Sequence, residues 1–137
     1  MISEHLISTL KRHEGLRLKV YVCPAGKLTV GYGWNLEGGL TQEEADYLLI
    51  NDIRSVEESL IKALPCFDRL PADVRNVLIN MGFQMGVAGL LNFRRTLAHI
   101  EAGRWQEGAA EMLRSRWAEQ TPGRAKELSE IVRNTNG

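Results

Sequence analysis

Apolar positions recur at helical spacing at the start of the chain, where Ile2, Leu6 and Leu10 lead to His13 and Glu14. The pattern predicts a short amphipathic helix over residues 3–13 that stops near Gly15, and it leaves Glu14 where the apolar stripe ends. From Leu18 to Tyr32 the helical period disappears. Lys19-Val20-Tyr21-Val22 and Lys27-Leu28-Thr29-Val30 flank Cys23-Pro24-Ala25-Gly26, which is a β-hairpin signature. Gly31, Gly33, Gly38 and Gly39 then punctuate a loop running to Leu40.

Helical period returns behind Thr41-Gln42-Glu43-Glu44, a capping box in which the Thr41 hydroxyl and the Glu44 carboxylate serve opposite orphan N–H donors. Ala45, Leu48, Leu49, Asp52, Val56 and Leu60 carry this helix to about Lys62. Pro65, Pro71, Gly86, Gly89, Gly103 and Pro122 separate further periodic stretches near residues 71–85, 93–101, 105–115 and 123–133, with no strand candidate among them. The expected fold is therefore α+β and predominantly helical, in one domain over residues 1–137. A helix and β-hairpin lobe takes residues 1–40, a connecting helix 41–62 and an all-helical lobe 63–137. Neither a tandem repeat nor a flexible linker interrupts it.

Composition narrows the partners. The chain has 137 residues, 44% hydrophobic and 25% charged, enough for a core without metals or disulfides to staple it. Formal net charge is zero, although residues 36–73 are strongly acidic and the flanks correspondingly basic. That balance argues against nucleic acid as the partner, since such affinity comes largely from neutralising phosphates. Cys23 and Cys66 lack CxxC spacing and His5, His13 and His99 are scattered, so neither set reads as a metal site, and sequence leaves a disulfide between the cysteines open. No apolar run is long enough to span a membrane, and Met1-Ile2-Ser3-Glu4-His5 lacks the features of an export signal. The expectation is a cytoplasmic chain, monomeric and without a cofactor.

Glycosidic cleavage needs an acid for the departing oxygen and a group on the other sugar face that places water or attacks the anomeric carbon. A carboxyl at the edge of an apolar helix face suits the first role, because desolvation disfavours its charged form. Glu14 fits that description. Position alone is weak support, since most glutamates at helix ends are solvated caps.

Spacing strengthens it. Glu14, eight residues, Cys23, five residues, Thr29 resembles the catalytic arrangement of the T4-type phage lysozymes, glycoside hydrolase family 24. The flanks agree in Glu14-Gly15-Leu16-Arg17-Leu18-Lys19-Val20-Tyr21 and Leu28-Thr29-Val30-Gly31-Tyr32-Gly33. Farther on, Leu78-Ile79-Asn80-Met81-Gly82-Phe83-Gln84-Met85-Gly86, Arg104-Trp105 and Ser115-Arg116-Trp117-Ala118-Glu119-Gln120-Thr121-Pro122-Gly123-Arg124-Ala125-Lys126 resemble the family's helical-lobe segments.

The resemblance implies a lysozyme-like fold with a cleft between the lobes, and hydrolysis of the β-1,4 bond between N-acetylmuramic acid and N-acetylglucosamine in bacterial peptidoglycan. Glu14 would be the acid, with Cys23 and Thr29 placing water or supplying a nucleophile. Phe83, Gln84, Thr96 and Arg116 would contact the sugar chain, and Arg124 would orient Glu14. It also implies lysis late in phage infection, with a holin providing membrane passage.

The sequence departs from the family pattern in places. Cys23 stands where familiar members carry Asp, and a thiol near its free pKa of about 8.5 is mostly neutral at pH 7. Either the site lowers that value or a thiol does the work in another way, unless Cys23 is only a packed turn residue. Trp34 stands where many relatives carry His, and stacking on a sugar and filling core space are equally good readings for it; Asn35 offers a polar contact beside it. The loop from Trp34 to Leu40 is shorter than in the T4 member, and the chain ends earlier than the T4-type pattern. Trp105, Trp117, Met81 and Met85 read as core, and Arg94-Arg95 as a solvated helix face. A lytic transglycosylase, a non-catalytic glycan-binding module and, more distantly, a helical regulatory protein are the rival functions.

Overall fold

Ser3 opens the first helix by accepting the Leu6 N–H at 3.1 Å, in a computed structural model that describes residues 1–136. Helix α1 (Glu4–Glu14) has Glu4 in its first turn and Lys11, Arg12 and His13 in its last, the charge order that the helix dipole favours. Gly15 ends it at φ 69°, with its N–H on the Lys11 carbonyl at 2.9 Å. Contacts divide the chain into two units, Met1–Leu48 and Leu49–Gly137.

In the first unit, strands β1 (Arg17–Val22) and β2 (Leu28–Gly31) pair antiparallel, with Tyr21 opposite Thr29, Val22 opposite Leu28, and a register irregularity between Arg17 and Tyr21. A third strand, β3 (Trp34–Asn35), adds to β2, placing Asn35 opposite Thr29 and Trp34 opposite Val30. This corrects the expectation of a plain loop from Gly31 to Leu40. Two residues offer no alternation to read, and Gly31 and Gly33, at φ 69° and 73°, turn the chain back within a dipeptide's reach. The capping box forms as expected: Thr41 N–H donates to Glu44 Oε1 at 2.9 Å, and Glu44 N–H to the Thr41 hydroxyl at 3.1 Å. It starts α2 (Gln42–Ala63), whose residues are shared between the units.

The second unit is helical among its described residues. It contains the rest of α2, then α3 (Ala72–Met85), α4 (Val87–Leu91), α5 (Arg94–Glu101), α6 (Trp105–Leu113), α7 (Arg116–Gln120) and α8 (Pro122–Arg133). Helices α4 and α7 are one-turn pieces that periodicity did not predict. Ser115 caps α7 by accepting the Ala118 N–H at 3.1 Å, which breaks the stretch running on from α6. Leu60, Val74, Val77, Leu78, Met81, Leu90, Ile100, Met112 and Trp117 form the buried core with their neighbours. Phe93 meets Trp117 edge-on at 6.0 Å between ring centroids. Gly82 sits in the middle of α3 despite its poor helix propensity because a Cβ there would come within 2.9 Å of Val56 Cγ1. No helix among the described residues is long and apolar enough to cross a membrane.

Candidate active site

The last residue of α1 meets the turn between β2 and β3. Gly33 faces the Glu14 carboxylate so closely that any Cβ at position 33 would strike Oε2, and its φ of 73° also disfavours a side chain. Gly33 is thus part of the site, where sequence reasoning had treated it as loop punctuation. Glu14 itself is exposed, and α1 buries none of its residues, which departs from the expected desolvated environment.

Cys23 and Thr29 come together across the hairpin turn. The turn is closed by Cys23 N–H on the Lys27 carbonyl at 2.9 Å and Gly26 N–H on the Cys23 carbonyl at 2.8 Å. Thr29, only 3% exposed, donates its hydroxyl to the Lys27 carbonyl at 2.9 Å. Hydrogen bonding from the Lys27 backbone, then from the Thr29 hydroxyl and the Ala25 backbone, lowers the Cys23 pKa from its ordinary value. Thr29 has a single hydroxyl proton, so serving the thiolate means releasing the Lys27 carbonyl, whereas a neutral thiol can donate to the Thr29 oxygen.

Both cysteines are free thiols. Burial, and next the negative charge of Glu101, push Cys66 the other way, upward.

Trp34 is half-buried in a cavity of about 420 Å³ that it shares with Leu40, Glu43, Glu44, Tyr47 and Leu48. Asn35 accepts the Glu37 N–H at 3.0 Å, so its side-chain oxygen caps a short 3-10 turn over Leu36–Gly38.

In the second unit, Phe83 is exposed and lines a hollow of about 380 Å³ with Leu49, Ile53, Asn76, Ile79, Asn80 and Arg124. The Arg124 guanidinium donates to Asn80 Oδ1 through Nε at 2.9 Å and Nη2 at 2.6 Å, and to the Asn80 carbonyl at 3.3 Å. Asn80 was not singled out from sequence, and a partner 44 positions away leaves no local signal. Gln84 accepts from Trp117 Nε1 at 2.8 Å, which ties it to the core tryptophan. Thr96 is 3% exposed at the edge of a different hollow, beside Phe93, Arg94, Arg95, Glu111 and Arg114. Arg116 is exposed at the start of α7. No cluster of three or more potential metal ligands occurs among the described residues.

Comparison with known proteins adds an independent line. A family described as phage lysozyme matches residues 11–134. The pre-baseplate central spike protein Gp5 of Enterobacteria phage T4 is 30% identical over 93% of this chain, which spans 27% of that protein's length. Probable T4-type lysozyme 1 of Dictyostelium discoideum is 29% identical over 90% of both chains. An endolysin of Acyrthosiphon pisum secondary endosymbiont phage 1 is 48% identical over 59 residues, 40% of both chains.

Proposed function

The chain belongs to the phage lysozyme family, a family of lysozyme-type hydrolases, and on that premise we propose that it cleaves the β-1,4 bond between N-acetylmuramic acid and N-acetylglucosamine in peptidoglycan. The observation that supports the finer reading is the pair Cys23 and Thr29 across the hairpin turn, where hydrogen bonding lowers the thiol's pKa beside a buried hydroxyl. A group that places water or attacks the anomeric carbon is what a glycosidase needs opposite its acid.

Glu14 is the acid. Its proton passes to the glycosidic oxygen as the bond to the anomeric carbon breaks, and a water held by Cys23 and Thr29 supplies the hydroxyl to that carbon. The water's second proton goes to the Cys23 thiolate and from there to solvent. Glu14 is exposed, so its desolvation falls to the bound sugar chain. Trp34, Asn35, Phe83, Gln84, Thr96 and Arg116 stand as substrate contacts on the family resemblance, and Arg124, through Asn80, as a supporting residue.

Membership in a family of lysozyme-type hydrolases is why the catalytic reading is preferred to a glycan-binding module without turnover. The test is incubation with purified peptidoglycan and mass analysis of the products, for the wild type and for Cys23→Asp and Cys23→Ala. The expected result is muropeptides that carry an added water, most activity kept by Asp and most lost by Ala. Anhydro-sugar products would replace hydrolysis with transglycosylation, and glycan binding without products would replace it with the binding module. A folded, fully active Ala variant would remove Cys23 from the mechanism.

A further inference from the structure

Arg94-Arg95 reads from sequence as a solvated helix face, and the hydrolase reading gives the pair no task. In the structure both arginines line a hollow of about 350 Å³, together with Thr96, Glu111, Arg114 and Ser115, all within the second unit. Helix α5 begins there without a cap. Phe93 stands at the N-cap and offers no side-chain acceptor, and the first N–H to find a carbonyl is that of Leu97, on Phe93 at 2.9 Å. The N–H groups of Arg94, Arg95 and Thr96 are left as donors at the positive end of the helix.

A buried side chain points to the same place. Thr96 is 3% exposed, yet its hydroxyl makes no hydrogen bond among the described residues. It is not one of the fully enclosed polar atoms either, so it opens on the hollow that Thr96 lines. A hydroxyl withdrawn from bulk water without a partner costs free energy that a ligand in the hollow would recover. Charge identifies the ligand as an anion. Glu111 brings the one carboxylate of the lining, and Arg114 pairs with it at 2.9 Å. Arg94 and Arg95 have no ion-pair partner among the described residues, so the hollow keeps their positive charge.

We propose that this hollow binds a phosphate group, free or esterified, on the N–H groups of Arg94, Arg95 and Thr96, the Thr96 hydroxyl and the two guanidinium groups. Three backbone donors, a hydroxyl and two guanidinium forks exceed what the two oxygens of a carboxylate accept, and they suit the several oxygens of a phosphate. A neutral sugar would leave the arginine charge unanswered. The assignment stands on the hollow alone and goes beyond the hydrolase reading, although Thr96 is also among the sugar contacts that the family resemblance implies.

The experiment is an amide-resolved NMR titration of the isotope-labelled full chain with inorganic phosphate, with poly(glycerol phosphate) and with acetate, at constant ionic strength. Phosphate is expected to give saturable shifts centred on the Arg94, Arg95 and Thr96 amides. Arg94→Gln with Arg95→Gln should weaken binding roughly tenfold or more, and Thr96→Val about fivefold, with Thr96→Ser restoring it. Circular dichroism checks the fold of each variant, and the exposed arginines keep the test open should Thr96→Val fail to fold. Shifts from inorganic phosphate alone would assign a free anion, and the same shifts at lower concentration from the polymer would assign a phosphodiester chain; either outcome upholds the site. No saturable shift at these amides with either phosphate source would overturn the proposal. Equal shifts from acetate, or unchanged binding by the folded double arginine variant, would overturn it too.

Discussion

The two units differ in what holds them. Every buried hydrophobic residue of the core lies in the unit Leu49–Gly137, whereas in Met1–Leu48 the buried residue is the hydroxyl-bearing Thr29. Stability resides in the first of these, and the proposed chemistry is concentrated in the other. The small unit is organised by directional devices: a capping box, a hydrogen-bonded turn, and glycines at positive φ, of which Gly33 also sits where a side chain would meet Glu14. Such a division is physically reasonable, because sites that must admit a polymer are drawn from the less tightly packed parts of a protein.

The contrast is most easily broken by a core truncation. Leu78→Ala, at a position with no exposed surface, should cost about 2–5 kcal/mol of unfolding free energy in urea titration. A loss below about 1 kcal/mol would show that the second unit is not held by its core. Gly82→Ala should cost roughly 1–3 kcal/mol, because the new methyl meets the stiff Val56 side chain at 2.9 Å. The smaller unit should respond less. Thr41→Ala removes one half of the capping box, and a destabilisation of about 1 kcal/mol is expected by the same titration.

The cysteines, one in each unit, sharpen the comparison without a stability readout. Cys23 is shifted down and Cys66 up, so near neutral pH iodoacetamide should modify Cys23 first, as followed by peptide mass mapping. The same shifts give opposite pH linkages. Stability from ionised Cys23 is present above the ordinary thiol value and fades as pH falls through the lowered one. That from neutral Cys66 is present below the ordinary value and fades as pH rises through the raised one. Preferential labelling of Cys66 would contradict the local account of the turn.

What the sequence made legible follows the range of each interaction. The capping box, the hairpin and α3 were readable because their determinants lie within a few residues or one helical period. Strand β3 was not, since Trp34–Asn35 is too short to alternate and is defined by its partner β2. The proposed acid, thiol and hydroxyl were named through spacing and family resemblance. The features that bear on their chemistry were not legible: the close approach of Glu14 to Gly33, and the hydrogen bonding of the turn that lowers the Cys23 pKa. Arg124 was singled out, but its partner Asn80 depends on how α3 and α8 pack. The exposure of Glu14 runs against the sequence expectation because a helical apolar stripe does not by itself bring burial, and α1 has the stripe without it.

Turnover and unfolding free energy measured on the same preparation of Glu14→Gln test the central claim most directly. The prediction is a loss of about a hundredfold or more in peptidoglycan hydrolysis, as removal of a general acid entails, with stability within about 0.5 kcal/mol of wild type, as for an exposed substitution. A folded Glu14→Gln that hydrolyses peptidoglycan at the wild-type rate would contradict it, and would move the acid away from the end of the first helix.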